Sequence, residues 1–327
     1  MRRVAVLTLT SFLLAAVSVF AEDFREHDDD VLHVAAVQAE VVEETYLDSE
    51  KFESHVEKLV AEAERRGAEL VVFPEYVNVF LLFESYAPII TRASRMDEAL
   101  RELSALAGGA PAAAPTGGAA PRAAAPTETL QALLRRHAPS VERIVRRMWS
   151  DLAREYGVAI VAGTYFAPVG EERIHNRAIV FDEDGSLIYA QDKVFLTAFE
   201  ADVLDLGEGD LQEAETFEID GFEIGLTICR DSFFSDWEPE LGGADLWLEL
   251  RANGELYTEA VRRRFEGALP ERVGATSAVA GVSASLTGSM LDLVWEGPSY
   301  AVDASGRRVG ASGDVRGSSL LLTEVRR

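Results

Sequence analysis

Residues 222–237 read FEIGLTICRDSFFSDW and contain the only cysteine of the 327-residue chain. Large apolar side chains alternate from Phe222 to Ile228, the pattern of a β-strand with one buried face. Cys229 follows at the strand end, where the sequence turns polar. Ser235 and Glu238 have the spacing of a helix-capping box, so a helix is predicted next. The stretch therefore predicts a strand, a turn that displays a thiol, and a helix.

Reactive side chains follow two other predicted strands in the same way. Glu75 comes directly after the apolar strand 70–73 and Pro74, and Lys193 follows the strand 187–190. Lysine is scarce in this chain, which uses arginine at nearly every other basic position. Unlike arginine, lysine passes readily through both protonation states, so its use at position 193 is compatible with chemistry. Taken alone, Glu75 also fits a solvated loop acid.

The remaining pattern indicates a layered α/β fold with a central sheet. Residues 31–38 form an apolar run of strand length, and Phe52, Val56 and Val60 recur at helical spacing until Gly67 ends that helix. Further along, the pattern predicts a helix over residues 141–156, strands over 158–166, 178–181 and 187–190, and a tight turn at 220–221.

The N-terminus has the features of a secretory signal peptide. A basic start precedes an uncharged apolar run, and Val19, Phe20 and Ala21 form a small-residue site that predicts cleavage after Ala21. An uncleaved membrane anchor is the alternative interpretation. Residues 1–21 therefore predict an exported protein, periplasmic or secreted, with no membrane association once the signal is removed.

The composition disfavours some classes of binding partner and bears on the number of domains. A formal net charge of −25 argues against nucleic acid and anionic membrane surfaces as partners. Residues 107–127 contain ten alanines, four glycines and four prolines, which cannot build a core. We interpret this segment as an insertion within one domain spanning residues 31–327, because as a linker it would leave a small N-terminal unit.

Three short motifs, VVFPEY with Glu75, AQDKVFL with Lys193 and GLTICRD with Cys229, resemble in order the signatures of the nitrilase, or carbon–nitrogen hydrolase, superfamily. The resemblance extends over most of residues 31–325. It implies a four-layer α-β-β-α sandwich that forms a homodimer or higher homo-oligomer. Two departures concern the substrate: the cysteine lacks the Phe-Pro-Glu that often follows it, and SASLTG at residues 283–288 stands where many members have asparagine.

The resemblance also implies roles for five residues. Cys229 is the nucleophile, Glu75 the general base, and Lys193 stabilises the oxyanion together with the backbone N–H of Arg230. Glu200 is the candidate for a second glutamate that orients the lysine, and Glu208 is a poorer one. An ammonium about 4 Å from a thiol contributes up to roughly 4 kcal/mol at an effective dielectric near 20, so Lys193 is expected to favour thiolate.

The sequence thus predicts an exported thiol amidohydrolase that acts on a small amide or N-carbamoyl compound through a thioester. Amide hydrolysis is preferred over nitrile hydrolysis because Arg230 and Asp231, not the Trp-Glu typical of nitrilases, follow the cysteine. No cofactor is expected. No metal is expected either, since the five histidines show no ligand spacing and a second cysteine is lacking.

Several alternatives remain open at this stage. The chain could be a binding protein that has lost catalysis, or an acyltransferase that uses an amine acceptor. A thiol protease built on Cys229 and His175 is a third. Asp231 is interpreted as a structural carboxylate, and residues 262–264, three consecutive arginines, as a solvated helix face.

Overall fold

The computed structural model describes residues 30–108, 126–170 and 173–327. The strands are β1 (Val31–Val41), β2 (Leu70–Val72), β3 (Ala159–Val169), β4 (Arg173–Phe181), β5 (Leu187–Asp192), β6 (Phe217–Ile219), β7 (Phe222–Ile228), β8 (Leu246–Arg251), β9 (Ala280–Met290), β10 (Leu293–Trp295), β11 (Tyr300–Asp303), β12 (Arg308–Ala311) and β13 (Ser319–Arg326). The α-helices are α1 (Glu43–Tyr46), α2 (Ser49–Arg65), α3 (Ala87–Ile90), α4 (Met96–Gly108), α5 (Pro126–Tyr156), α6 (Trp237–Leu241) and α7 (Glu259–Ala275).

The strands form one continuous sheet that folds back over itself. Its order is β5-β4-β3-β2-β1-β9-β8-β7-β6, and β13 pairs with β1 while β10 and β11 pair with β9. Strands β2, β1, β9, β8 and β7 are parallel to their neighbours in this order. Strand β4 is antiparallel to both β3 and β5, so β5 runs in the same direction as β3.

Three apolar cores separate four layers. The inner core joins the two halves of the sheet, with Val34 and Val72 in the same cluster as Leu248 and Val282. A second core lies between the first half and the helices α2 and α5, and a third packs α6 and α7 against the other half. This confirms the predicted four-layer α-β-β-α sandwich.

Most predicted elements are present with shifted ends, but two predictions were wrong. Helix α5 begins at Pro126 and continues through Pro139, whereas the sequence predicted a start at Val141. Leu130, Leu134 and Ala138 are buried at helical spacing, so packing outweighs the proline. The capping box at Ser235 is absent, because α6 begins after Asp236 and has no side-chain cap.

The insertion at 107–127 and the signal segment 1–21 lie largely or wholly outside the described residues. The ends of the insertion belong to helices, since α4 extends to Gly108 and α5 starts at Pro126. Within the described ranges, no helix has the length and apolar character needed to cross a membrane.

Strand direction explains why the predicted site residues meet. Strands β2, β5 and β7 run the same way, so their carboxyl ends lie at one edge of the folded sheet. Glu75, Lys193 and Cys229 each follow one of these ends. Side chains that follow the carboxyl ends of strands in α/β folds commonly form the binding crevice.

Candidate active site

The turn that carries Glu75 is fixed by β3 and α5. Tyr76 has a φ of 63° and its N–H donates to Thr164 Oγ1 at 2.8 Å. Asn78 donates to the carbonyl of Ala162 at 2.8 Å and accepts from Trp149 Nε1 at 2.9 Å. The backbone of Gly163 approaches so closely that an added Cβ would lie 2.3 Å from the carbonyl oxygen of Pro74. Only glycine permits this contact.

Glu75 and Lys193 form an ion pair that is closed to solvent. Lys193 Nζ donates to Glu75 Oε1 at 2.7 Å, and each side chain is 1% exposed. Asn176, on β4, donates to the same carboxylate oxygen at 2.9 Å. Burial without such partners would cost an ion several kcal/mol, so the pair depends on these hydrogen bonds.

Glu200 completes the ion pair on the other side of the lysine. It lies in a short π-helical segment, Phe199–Val203, and is fully buried. Lys193 Nζ donates to its two oxygens at 3.0 and 2.8 Å, and Tyr76 Oη donates at 2.6 Å. Thr197 donates to Glu200 from both its N–H and its hydroxyl. Glu208, the poorer candidate, is exposed on another surface.

Cys229 occupies a strained turn at the end of β7. Its φ is 51°, a left-handed backbone that side chains other than glycine adopt at a cost of about 1–2 kcal/mol. A 3₁₀ turn, Cys229–Phe233, follows. The sulfur lies 3.7 Å from the carbonyl oxygen of Ala252, and the residue is 4% exposed. Strain of this kind persists where the surroundings hold a functional group in place.

One cavity of about 210 Å³ joins the thiol to the ion pair, while Glu200 and Asn176 lie outside its lining. Cys229, Glu75 and Lys193 line it together with the aromatic side chains of Tyr76, Phe233 and Phe265. The thiol and the carboxylate of Glu75, which also accepts from Lys193, each shift the pKa of the other. The structure therefore brings the three strand-end residues to one space, as the sequence predicts.

Effects of opposite sign act on the pKa of Cys229. Burial and the charge of Glu75 raise the pKa of Cys229 well above its ordinary value, although Lys193 opposes them. Lys193 does favour the thiolate, as expected, but burial of the sulfur outweighs it and the Glu75 carboxylate adds to the effect of burial. Both effects therefore favour the neutral thiol.

The two carboxylates that flank Lys193 have opposite pKa shifts. Burial raises the pKa of Glu75 to about 7, against the effect of Lys193. Burial acts on Glu200 too, but Lys193 and the hydrogen bond from Tyr76 outweigh it and lower the pKa. Burial likewise opposes the charge of Lys193, yet both glutamates together raise its pKa. Two acids in different environments suit two different roles.

Asp231 is a structural carboxylate, as predicted, and it binds the loop that follows Lys193. Its carboxylate accepts the N–H of Phe195 at 2.8 Å and that of Val194 at 3.4 Å, so it holds the loop after Lys193. The side chain of Arg230 is exposed, with its guanidinium 5.4 Å from the ring centre of Phe234. Both Arg230 and Asp231 thus flank the thiol without contacting Lys193 directly.

The remaining candidates lie elsewhere. His175 pairs with Asp192 Oδ2 at 2.8 Å and its ring packs on Gly207, so it does not meet Cys229 as the protease alternative requires. The arginines at 262–264 are exposed as predicted, but Arg264 also lines the rim of the Cys229 cavity. Across the part of the chain that the structure describes, no group of three or more His, Cys, Asp or Glu side chains could hold a metal ion.

Three contributors to the site were missed in the sequence. Asn176, Tyr76 and Thr197 all donate to Glu200, and Asn176 also reaches Glu75. Tyr76 and Thr197 lie within a few residues of a predicted site residue, which was a usable signal. Asn176 had none, because its place depends on the β4–β5 register that pairs Arg177 with Asp192.

Comparisons with known proteins agree on the fold. The family profile described as carbon–nitrogen hydrolase matches residues 33–237. A double mutant of the amidase from Nesterenkonia sp. AN1, in complex with acrylamide, is 19% identical with a TM-score of 0.64 and covers 91% of each chain. A mutant of that amidase in complex with butyramide is 20% identical, with a TM-score of 0.61 over 90% of this chain and 91% of that chain. No curated protein sequence matches.

Proposed function

Because the chain belongs to the carbon–nitrogen hydrolase family, in the nitrilase superfamily, we propose that it is a thiol amidohydrolase acting on a small non-peptide amide. One observation carries the proposal: the Cys229 thiol and the buried Glu75–Lys193 pair line the same cavity. The group types are those that nucleophilic acyl transfer requires, namely a nucleophile, a base and a fixed positive charge.

In the first step, Cys229 attacks the carbonyl carbon of the amide. A neutral thiol is a weak nucleophile, so its proton must leave as the carbon–sulfur bond forms. Glu75 is the acceptor, because it lines the same cavity as the thiol and its raised pKa of about 7 makes it an effective proton carrier near neutral pH. Proton transfer on attack removes the need for a resting thiolate.

Lys193 and the N–H of Arg230 stabilise the oxyanion that forms on the substrate. Each such donor contributes about 3 kcal/mol in comparable enzymes. Glu200 keeps the ammonium in place, because both of its carboxylate oxygens accept hydrogen bonds from Lys193 Nζ. Hydrogen bonds from Tyr76 and Thr197 in turn fix the carboxylate of Glu200. The charges are set before the substrate arrives, and little reorganisation accompanies the reaction.

The second half of the cycle reverses the proton movement. Glu75, now protonated, donates to the leaving amine or ammonia as the carbon–nitrogen bond breaks and a thioester remains on Cys229. Glu75 then takes a proton from water, whose oxygen attacks the thioester carbon. The acid product then leaves as the carbon–sulfur bond breaks, and Glu75 returns its proton to the sulfur, so one carboxylate serves twice as base and twice as acid.

The size of the cavity and the proteins of similar structure support a small amide as the substrate. A volume of about 210 Å³ is below the range of about 300–1,000 Å³ typical of pockets for drug-sized ligands. The structurally similar Nesterenkonia amidase is described with acrylamide and with butyramide. An amide or N-carbamoyl compound is proposed over a nitrile because Arg230 and Asp231 follow the cysteine.

Export and assembly complete the proposal. The segment 1–21 is proposed as a signal peptide that directs the enzyme to the periplasm or the medium, and the sandwich is proposed to form homo-oligomers. A mature N-terminus at Glu22, read by mass spectrometry of protein recovered outside the cytoplasm, is the expected result. Full-length protein retained in the cytoplasm would contradict export.

Ammonia release across a panel of amides, N-carbamoyl compounds and nitriles tests the activity. We expect release from at least one amide or N-carbamoyl compound, and none from the Cys229→Ser variant. Thr276→Ser, at the C-terminal end of α7 and outside the cavity lining, is the control for expression and handling. Turnover restricted to nitriles, or equal rates in Cys229→Ser, would contradict the proposal. Product that forms only with an added amine would instead indicate acyl transfer.

A further inference from the structure

The rim of the Cys229 cavity carries two arginine side chains. Arg230 directly follows the nucleophile, and within the described part of the chain it has no ion-pair partner. Arg264 reaches the rim from helix α7, where it pairs with Glu255 Oε1 at 2.7 Å. Both guanidinium groups lie over aromatic rings, Arg230 at 5.4 Å from Phe234 and Arg264 at 5.0 Å from Phe265. The rings hold the planar cations at the opening.

A third polar group in the cavity points to a ligand independently. Asn253 lines it and is 9% exposed. Its Oδ1 accepts the N–H of Glu296 at 3.1 Å, which fixes the orientation of the amide. The Nδ2 donor is then buried, and none of the described residues accepts from it. Leaving a buried donor unpaired costs about 1–3 kcal/mol, which a ligand acceptor would recover.

The charged groups of the cavity favour an anion. Three cations and two carboxylates line it, although the whole chain has a net charge of −25. Glu75 is engaged by Lys193, and Glu255 by Arg264. Among the described residues, Arg230 has no counterion, and it lines the same cavity as the unpartnered amide donor of Asn253. Arginine recognises carboxylate oxygens well because its planar fork can donate two parallel hydrogen bonds.

We infer that the substrate carries a carboxylate a few bonds from the scissile carbonyl, bound by Arg230, Arg264 and Asn253 at the cavity rim. This inference rests on the proposed amidohydrolase function and names the class of its substrate. The carboxylate belongs either to the acyl part, as in the monoamide of a short dicarboxylic acid, or to the amine part, as in an N-carbamoyl amino acid. The shared chemistry is an anion at a fixed distance from the cleaved bond.

Two matched substrate pairs test the inference and separate its two sources. Succinamate against butyramide places a carboxylate or a methyl group on the acyl side. N-carbamoyl-β-alanine against propylurea does the same on the amine side. The charged member of one pair should have a kcat/KM about tenfold or more above its uncharged partner, as expected for a hydrogen bond to a charged group. Equal or better turnover of the uncharged member in both pairs would overturn the inference and leave the amidohydrolase function standing.

Variants at the rim assign the effect to these residues. Arg230→Gln and Arg264→Gln should each lower the charged-to-uncharged ratio by about tenfold, mainly through KM. Arg263→Gln, a neighbouring exposed arginine that does not line the cavity, should keep the wild-type ratio. Glu255→Gln should raise the ratio, because it removes the acid that competes for Arg264. If Arg230→Gln, Arg264→Gln and Glu255→Gln all leave the charged-to-uncharged ratio unchanged, these residues do not bind the carboxylate.

Alkylation of the single cysteine gives a readout that needs no turnover. Iodoacetate carries the negative charge that iodoacetamide lacks, and every cysteine adduct falls on Cys229, the single cysteine of the chain. Relative to glutathione, the wild-type protein should favour iodoacetate several-fold, and Arg230→Gln should lose this preference while Arg263→Gln keeps it. If these four substrates and the whole amide and N-carbamoyl panel are inert yet the preference is present, the proposed function fails and the anion site stands. No preference for iodoacetate in the wild-type protein would overturn the site itself.

Discussion

The two halves of the site are held in place by different means. On the Lys193 side, Glu75, Asn176, Tyr76 and Thr197 surround the ammonium and Glu200 with hydrogen bonds of 2.6–3.0 Å. On the thiol side, Cys229 makes one long contact of 3.7 Å and depends on its left-handed turn. The charges are fixed by side chains, whereas the nucleophile is fixed by the backbone. Substitutions should therefore act differently on the two halves.

The largest effect is expected when the charge itself is removed. Lys193→Ala should lower kcat/KM by at least about a thousandfold, since the oxyanion loses its fixed cation. Cys229→Ser and Glu75→Gln should abolish turnover as well. Steady-state ammonia release measures all three, and circular dichroism checks that they fold. The exposed Lys58→Ala is the matched control. Near-normal rates in Lys193→Ala would show that the lysine has no part in the reaction.

A smaller effect is expected from the partner that orients the cation. Glu200→Gln keeps the shape of the side chain but removes the charge that holds Lys193, and kcat should fall about 10–100-fold. The exposed Glu208→Gln should be indistinguishable from wild type. A Glu200→Gln enzyme with unchanged kcat would mean that Glu75 and the backbone suffice to orient the lysine.

The pH profile should report the ionisation of Glu75. Because the base must be unprotonated, kcat/KM should rise with pH through about 7, the raised pKa of this carboxyl. Asn176 donates to the charged form at 2.9 Å, so Asn176→Ala should raise the pKa further and move the acidic limb to higher pH. Tyr156→Phe, at a surface distant in the fold, should leave the limb in place. A limb that moves to lower pH in Asn176→Ala would reverse the assigned sign.

The smallest effect concerns the backbone on the thiol side. In the inactive Cys229→Gly variant, glycine relieves the left-handed turn that alanine retains. Cys229→Gly should therefore exceed Cys229→Ala in unfolding free energy by about 1 kcal/mol, measured by urea denaturation. Ala252→Gly, at a residue without positive φ, should lose stability instead. A more stable Cys229→Ala would show that the turn carries no strain.

The sequence predicts which residues lie at the candidate site better than it predicts their hydrogen-bond partners and pKa shifts. Glu75, Lys193 and Cys229 could be located because each follows a legible apolar strand and matches a family motif. Asn176 could not, since only the β4–β5 register reveals which side chain reaches the two carboxylates. The pKa of Cys229 is hard to predict from the sequence for a related reason, because it depends on burial in the fold and on a carboxylate that is distant in sequence.

Helix boundaries show the same division between local pattern and packing. Strand and turn signals at residues 220–228 are local and give β7 and the turn before it correctly. The start of α5 depends on how Leu130 and Leu134 pack against the rest of the core, and Pro139 hides it in the sequence. The helix after Cys229 is present, but its cap is made by backbone atoms instead of the predicted side chains.

The carboxylate of Asp231 gives the two halves of the site a mechanical link. It lies two residues beyond the nucleophile and receives the N–H of Phe195, two residues beyond Lys193, and the rings of Phe195 and Phe234 stack at 3.9 Å. These contacts tie the turn that carries the sulfur to the segment that carries the ammonium. If the proposed acylation displaces the sulfur, the same contacts would carry that displacement to Lys193.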